Sequence, residues 1–390
     1  MDYLAQSFSV HFEYRVYFTA GIFDADNETL YSFLKERAVP ETIQKILFVI
    51  DQGVSDTHPR LQEDINRYFK RYPVVQLAEE LLIVPGGEEA KNNLAHFDRI
   101  TESIHSQRID RHSYIVALGG GSLLDLAGYA AAVSHRGINL IRIPTTVLSQ
   151  NDSGIGVKNG INHFGKKNFL GTFAPPVAVF NDDRFLDTLD GRNWRSGISE
   201  AVKVALIKDA EFFNWIEAHT RELVSRNRDV MNYLIRRCAD LHMQHIGGPD
   251  PFEKGSSRPL DFGHWSAHKL EQLTHFEVLH GEAVAMGIAL DSLYSSLAGY
   301  LSPARAERIL RVLIKLGFDI THPLMQITDQ NSPVLLGLQE FREHLGGRLT
   351  IMLLTDIGTG KEVFEMNTDL LIRAGKTLGS YHPQEPVPHP

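Results

Sequence analysis

The chain has 390 residues, 43% hydrophobic and 22% charged, and at roughly 100–200 residues per domain it is expected to form two domains. Its 39 Lys+Arg against 48 Asp+Glu leave a formal net charge of −9. That balance argues against nucleic acid as a partner, because such a binder needs surplus cations to displace counterions from phosphates. One cysteine, Cys238, excludes an intrachain disulfide framework and multi-cysteine metal sites.

No apolar run reaches the about 18 residues of a membrane-spanning helix, so no membrane partner is expected. The first residues carry scattered charges and no apolar signal core, which predicts a cytoplasmic protein. In chain order, residues 8–18 alternate loosely and predict an antiparallel hairpin. Ile46–Ile50 ends on Asp51, and Leu81–Val84 runs into Pro85-Gly86-Gly87. Tyr114–Leu118 runs into Gly119-Gly120-Gly121, Leu140–Pro144 into Thr145-Thr146, and Val177–Phe180 into Asn181. Short apolar runs bounded by turn residues, about thirty residues apart, suit buried parallel strands in βαβ units. Beyond Trp194 the pattern turns helical over 201–215, 229–244, 264–273, 281–300 and 303–316, with Ser302 as N-cap and Pro303 at the first helical position. The expected fold is an α/β Rossmann-like domain over 1–190, an all-α domain over 191–378 and a Pro-rich tail over 379–390.

Several stretches could carry chemistry. The three glycines before Ser122 let a backbone approach a diphosphate at a helix start, although Leu124 stands where the dinucleotide fingerprint has its third glycine. A plain strand-to-helix turn is the alternative. Asp51, at a strand end, could accept a hydrogen bond from a ribose hydroxyl, or be an ordinary turn residue. Gln150–Gly171 is read as a long Gly- and Asn-rich loop. From Ser153 to Phe180 it has no acid, while Lys158, Lys166 and Lys167 form a cationic island suited to phosphate, the alternative being a solvated surface loop. Glu200 and Lys203 share a helix face, His264 and His268 share another, and His280 opens a further helix. Two His and one Glu near helix starts, without cysteine ligands, suggest a catalytic metal with an open position, Zn²⁺ fitting best. Spacing alone leaves ordinary hydrogen-bonded polar residues equally open, since H-E-x-x-H is absent.

Taken in order, GGGSLLDLAG, HRG, IPTTVLSQNDSGIGVKNGIN, KKNFLG, SGISEAVK, FGHWSAH and HGEAVA resemble dehydroquinate synthase and the wider sugar phosphate cyclase superfamily, from about Asp51 to Leu290. Within it the chain resembles the EboD-type branch. The resemblance implies NAD and Zn²⁺, or Co²⁺, as cofactors. It puts Glu200, His264 and His280 on metal-ligand positions. Asp51, Glu88, Lys91, Gly120, Gly121, Asp125, Thr145, Thr146, Asp152, Lys167 and Thr188 fall on NAD-contacting positions. Lys158, Asn168, Lys203, Arg258, Asp261 and His268 fall on or beside substrate-contacting ones, with Asp152, Lys158, Lys203 and His268 as the catalytic set. Arg136 matches an arginine that reaches a neighbouring subunit's active site, implying a homodimer. The implied reaction oxidises a ring hydroxyl, eliminates phosphate, returns the hydride and closes a carbocycle by aldol addition. Because the substrate's own phosphate can take the proton, a cradle of Lys158, Asn168 and His268 would itself be catalytic. The active site is expected between the two domains.

The departures gather where the family reads its substrate's head group. Asp261 replaces an asparagine, Arg258 stands one residue closer to His264 than the family pattern has it, and a cationic lysine upstream has no clear counterpart. The region offers His242, His245 and Lys254 instead, and a C-terminal lysine finds only Arg342 or Arg348 nearby. An aspartate facing a substrate carboxylate would repel it. The phosphosugar expected is therefore sedoheptulose 7-phosphate or a similar uncharged-head ketose phosphate. The alternatives are 3-dehydroquinate synthase proper, a polyol dehydrogenase of the glycerol dehydrogenase type, and a non-catalytic binder.

Overall fold

The computed structural model describes residues 1–252, 259–344 and 349–381. The chain divides into two compact units: Met1–Pro144 with Val157–Asp182, and Thr145–Gly156 with the chain from Asp183 onward. In the first unit the strands are β1 (Arg15–Thr19), β2 (Lys45–Asp51), β3 (Gln76–Leu77), β4 (Leu82–Val84), β5 (Tyr114–Gly119), β6 (Asn139–Pro144), β7 (Lys158–His163), β8 (Lys166–Phe173) and β9 (Ala178–Asp182). The main sheet runs β1-β9-β6-β5-β2-β3, with β4 also on β2, and these pairings are parallel.

The central strands are continuous apolar runs because both faces are covered: every residue of Tyr114–Gly119 is buried, as is Ile46–Ile50. From β2 the chain moves outward to β3 and β4, then crosses back to β5 on the other flank. The strand order thus reverses at β2 and β5, and ligands of such sheets bind beyond the carboxyl ends of strands at that point.

Two expectations are corrected. The opening segment forms no antiparallel hairpin: residues 1–14 have no regular structure, and Arg15–Thr19 joins the sheet edge in parallel with β9. The supposed loop 150–171 is a π-helical turn, Ser149–Ser153, followed by the antiparallel hairpin β7–β8. Two of its five glycines, Gly160 and Gly171, belong to strands. Gly160 and Gly171 face each other, and a Cβ on either would lie 2.9 or 2.8 Å from the opposite carbonyl oxygen.

In the second unit the main helices are Gly191–Lys208, Ala210–Ala218, Arg228–Ile246, His264–Leu273, His280–Leu297, Pro303–Lys315 and Thr368–Gly379. This helical unit carries one addition, an antiparallel pair of strands, β10 (Ile351–Asp356) and β11 (Thr359–Val363). Gly191–Lys208 begins on the Asp190 cap, whose carboxylate accepts from Asn193 N at 2.8 Å, and is buried along almost its whole length from Trp194 to Ile207. His280–Leu297 approaches it closely: a Cβ at Gly281 would sit 1.9 Å from Ser196 O. A Cβ at Gly287 would sit 2.0 Å from Gly263 O, just before His264. Small residues at these crossings bring three helices within side-chain reach of one point. Among the described residues, no helix is long and apolar enough to cross a membrane.

Candidate active site

The first unit builds a nucleotide-type cradle at the switch point. Asp51 ends β2 and caps the next short helix, its Oδ1 accepting from Gly53 N at 2.8 Å. Burial pushes its carboxyl up, against the amides of Gly53, Val54 and Gly120. Gly86 and Gly119 close around it: a Cβ at Gly86 would meet Asp51 Oδ2 at 2.2 Å, and one at Gly119 would meet Asp51 Cβ at 2.8 Å. Gly120 is the N-cap of the helix Gly121–Val133, and no side chain caps that helix. Its first amides are donors of the kind that bind a diphosphate.

Beside this helix, Lys91 is 2% exposed and lies 2.8 Å from Asp125 Oδ2 and 3.8 Å from Glu88 Oε1, while also donating to Asn168 Oδ1. Glu88 accepts from Ser122 Oγ at 3.1 Å and from Asn162 Nδ2 at 3.0 Å, and Asn162 Oδ1 accepts from Asn168 N at 2.8 Å. Four sequence candidates (Glu88, Lys91, Asp125 and Asn168) are thereby grouped, and Lys167 precedes Asn168 in the strand. Ser122 and Asn162 were not anticipated.

The cationic island is not one patch. In the hairpin register Lys158 pairs with Phe173, whereas Lys166 pairs with His163 at the turn end. Five residues of strand, about 17 Å, separate the two backbone positions. Lys158 is exposed, with its carbonyl held by buried Arg142 at 2.9 Å. The ammonium next to Asn168 is that of Lys91. Arg136 is exposed on a left-handed turn, with φ of 51° at His135 and 61° at Arg136.

The second unit gathers the metal candidates. Glu200 is completely buried in Gly191–Lys208, its carboxylate turned toward Lys203 and two imidazoles. His264 Nε2 lies 3.4 Å and His280 Nε2 3.3 Å from Glu200 Oε1. The opposite ring nitrogens are already engaged: His264 Nδ1 sits 3.1 Å from Phe262 O, and His280 Nδ1 sits 3.0 Å from Glu271 Oε2. His268 completes a group in which donor atoms of His264, His268 and His280 all lie within 4.8 Å of one another. Two imidazoles turned toward one buried carboxylate form a donor set that fits Zn²⁺ or Co²⁺.

Lys203 pairs with Glu200 Oε2 one helical turn away. Burial works against its charge, but Glu200, Asp152 and Asp261 outweigh burial and hold the ammonium above its usual range. Burial likewise raises Glu200, yet Lys203 and the two imidazoles hold it well below the usual carboxylate range. Asp152 sits in the π-helical turn with Oδ1 2.9 Å from His242 Nδ1. Burial and Glu200 push its carboxyl up, and Lys203 with His242 more than reverses this. Cys238 is buried nearby, its thiol pushed far up by burial and then by Asp152 and Glu200, which makes it an inert packing residue.

Of the proposed NAD positions, Thr145, Thr146, Asp152 and Thr188 lie in this second unit. Thr146 and Ser149 cap each other reciprocally, each backbone N–H donating to the other's hydroxyl at 3.0 Å, which sets up the turn holding Asp152. Thr188 Oγ1 is turned toward Phe185 O at 3.4 Å. Arg258 lies outside the described residues, as do Lys254, Arg348 and residues 382–390. Sequence reasoning missed Glu271, although its spacing of i+3 from His268 puts it on that helix face. It placed His242 only as a substitute for an absent lysine, because a pairing with Asp152 has no local signal.

Residues 81–196 match the model of the 3-dehydroquinate synthase N-terminal domain, and residues 197–335 match that of its C-terminal domain. The chain is 35% identical over 300 residues to 3-dehydroquinate synthase of Shewanella frigidimarina, covering 75% of this chain and 80% of that protein. It is 33% identical over 340 residues to the Halorhodospira halophila enzyme, covering 84% and 94%. Among solved structures it resembles ValA, the 2-epi-5-epi-valiolone synthase of Streptomyces hygroscopicus subsp. jinggangensis with NAD⁺ and Zn²⁺ bound. The TM-score is 0.86 at 29% identity, over 96% of this chain and 99% of that one. A probable glycerol dehydrogenase from Sinorhizobium meliloti shares the fold, with a TM-score of 0.59 at 13% identity over 93% and 96% of the two chains.

Proposed function

The chain belongs to the 3-dehydroquinate synthase family of carbon–oxygen lyases, NAD- and metal-dependent sugar phosphate cyclases, and from that premise we propose that it cyclises a ketose phosphate without a carboxylate head group, sedoheptulose 7-phosphate or a close analogue. This reading places it in the EboD-type branch. The observation that carries it is Asp261, whose charge is near enough to Lys203 to help hold that ammonium up. A substrate carboxylate beside Asp261 would meet like charge, while a hydroxyl would find an acceptor.

The metal would be held by Glu200, His264 and His280. NAD would be met by Asp51, Glu88, Lys91, Asp125, Lys167 and the amides after Gly120, with Thr145, Thr146, Asp152 and Thr188 as further contacts. When bound, the ion supplies Lewis acidity toward vicinal hydroxyls and NAD supplies a hydride acceptor. Lys203, kept charged by the acids around it, donates hydrogen bonds to substrate hydroxyls, and Asp152, kept ionised, accepts them. Lys158, Asn168 and His268 are the residues whose motifs imply phosphate contact. The assembly proposed is a homodimer, with Arg136 serving the partner.

The test is incubation with NAD⁺, Zn²⁺ and each candidate ketose phosphate, reading released phosphate and net NADH. Phosphate from sedoheptulose 7-phosphate without NADH accumulation is expected. Turnover of the carboxylated heptulosonate alone would overturn the substrate assignment in favour of 3-dehydroquinate synthase proper, the activity of its 35%-identical relative. Accumulating NADH would point to a dehydrogenase.

A further inference from the structure

We propose that Glu271 is a positioning residue of the metal centre, holding the His280 ring so that its Nε2 faces the ion. The proposal rests on the reading above that Glu200, His264 and His280 bind the metal. Glu271 is 3% exposed, on the helix that carries His264 and His268, and its Oε2 lies 3.0 Å from His280 Nδ1. With the ion on Nε2, the Nδ1 proton of His280 would have Glu271 as its acceptor. The opposite nitrogen, His280 Nε2, lies 3.3 Å from Glu200 Oε1.

The two imidazoles reach this orientation by different means. His264 is held by a backbone carbonyl, Phe262 O, whose position the chain itself dictates. His280 opens its helix after the turn that follows Leu273, and a side chain from the preceding helix holds it. A carboxylate behind a metal-bound imidazole fixes ring orientation and raises ligand basicity, and its loss typically weakens metal affinity by roughly 10–100-fold.

Zinc affinity is measured on the full-length holoenzyme by chelator competition, for wild type, Glu271→Ala, Glu271→Gln, Glu200→Ala and His280→Ala. Glu271→Ala should weaken zinc binding by roughly 10–100-fold, with Glu271→Gln between it and wild type because the amide oxygen still accepts. In ¹⁵N-histidine spectra of the zinc-loaded wild-type chain, the His280 signals should show a protonated Nδ1 and a metal-bound Nε2. This reading does not depend on the folding of any variant. Protonation on Nε2 would overturn the proposal. So would wild-type affinity in both Glu271 variants while Glu200→Ala and His280→Ala lose zinc, which leaves the metal reading standing. Wild-type affinity in Glu200→Ala and His280→Ala would instead overturn the metal reading and the proposal with it.

Discussion

At the scale of single residues, the second unit keeps ionisable groups where water cannot reach them. Asp291 is fully buried, with Oδ1 2.9 Å from Trp265 Nε1 and Oδ2 3.1 Å from Gly263 N, so it braces the turn on both sides of His264. Burial pushes its carboxyl from 3.8 up to about 7, more than these two donors can offset. The native state therefore binds a proton where the unfolded chain has released it. Stability should fall as pH rises from about 4 to about 7 and stay low above that, by about 4 kcal/mol at most. Urea unfolding at pH 5 and pH 8 should show this slope in wild type and a flatter one in Asp291→Asn; equal slopes would assign the titration to other groups. For Glu200 the expected outcome is different. Glu200→Gln keeps the volume but removes the charge that faces two imidazoles and Lys203, so bound zinc should fall to near background by elemental analysis. Retained zinc would shift the carboxylate's place to His268, whose donor atom also lies within 4.8 Å of the other two.

Elements place these side chains through close approach. At Gly281 an added methyl would strike Ser196 O, and backbone on both sides leaves no flexible side chain to yield. Gly281→Ala should cost about 1–3 kcal/mol, or more, and lower zinc affinity together with thermal stability, because the helix carrying His280 must back away from the helix carrying Glu200. A calorimetric scan with and without zinc checks both. In the first unit Gly128 plays the corresponding part: a Cβ there would lie 1.9 Å from Asn159 Oδ1, which accepts from Arg142 at the root of the hairpin. The hairpin also shows where sequence reading stops short. Its Gly and Asn content resembles a loop because Gly160 and Gly171 let backbone meet backbone and Asn159 and Asn162 hydrogen-bond through their side chains, and composition cannot separate those needs from turn chemistry. The parallel strands were legible because burial on both faces writes unbroken apolar runs into the sequence.

For the whole molecule, the homodimer proposal has its own test. If Arg136 serves the partner's site, Arg136→Ala and Glu200→Gln should each be inactive alone. A co-refolded mixture should regain about a quarter of wild-type activity, since half the dimers are mixed and each mixed dimer holds one intact site. No recovery, with heterodimers shown by mass, would return Arg136 to its own subunit.

The amino-acid sequence by itself determined the α/β-then-helical order, the glycine turn after β5 and the identity of the candidate ligands, because periodicity and motif order are local properties of the chain. Only the tertiary structure decided which candidates meet. Glu200 faces the Nε2 atoms of His264 and His280 because helices cross at Gly281 and Gly287. Glu271 stands behind His280, Asp152 pairs with His242, and strand register parts Lys158 from Lys166. Convergence of this kind depends on crossings and register between segments distant in the chain, and no local pattern of residues specifies them.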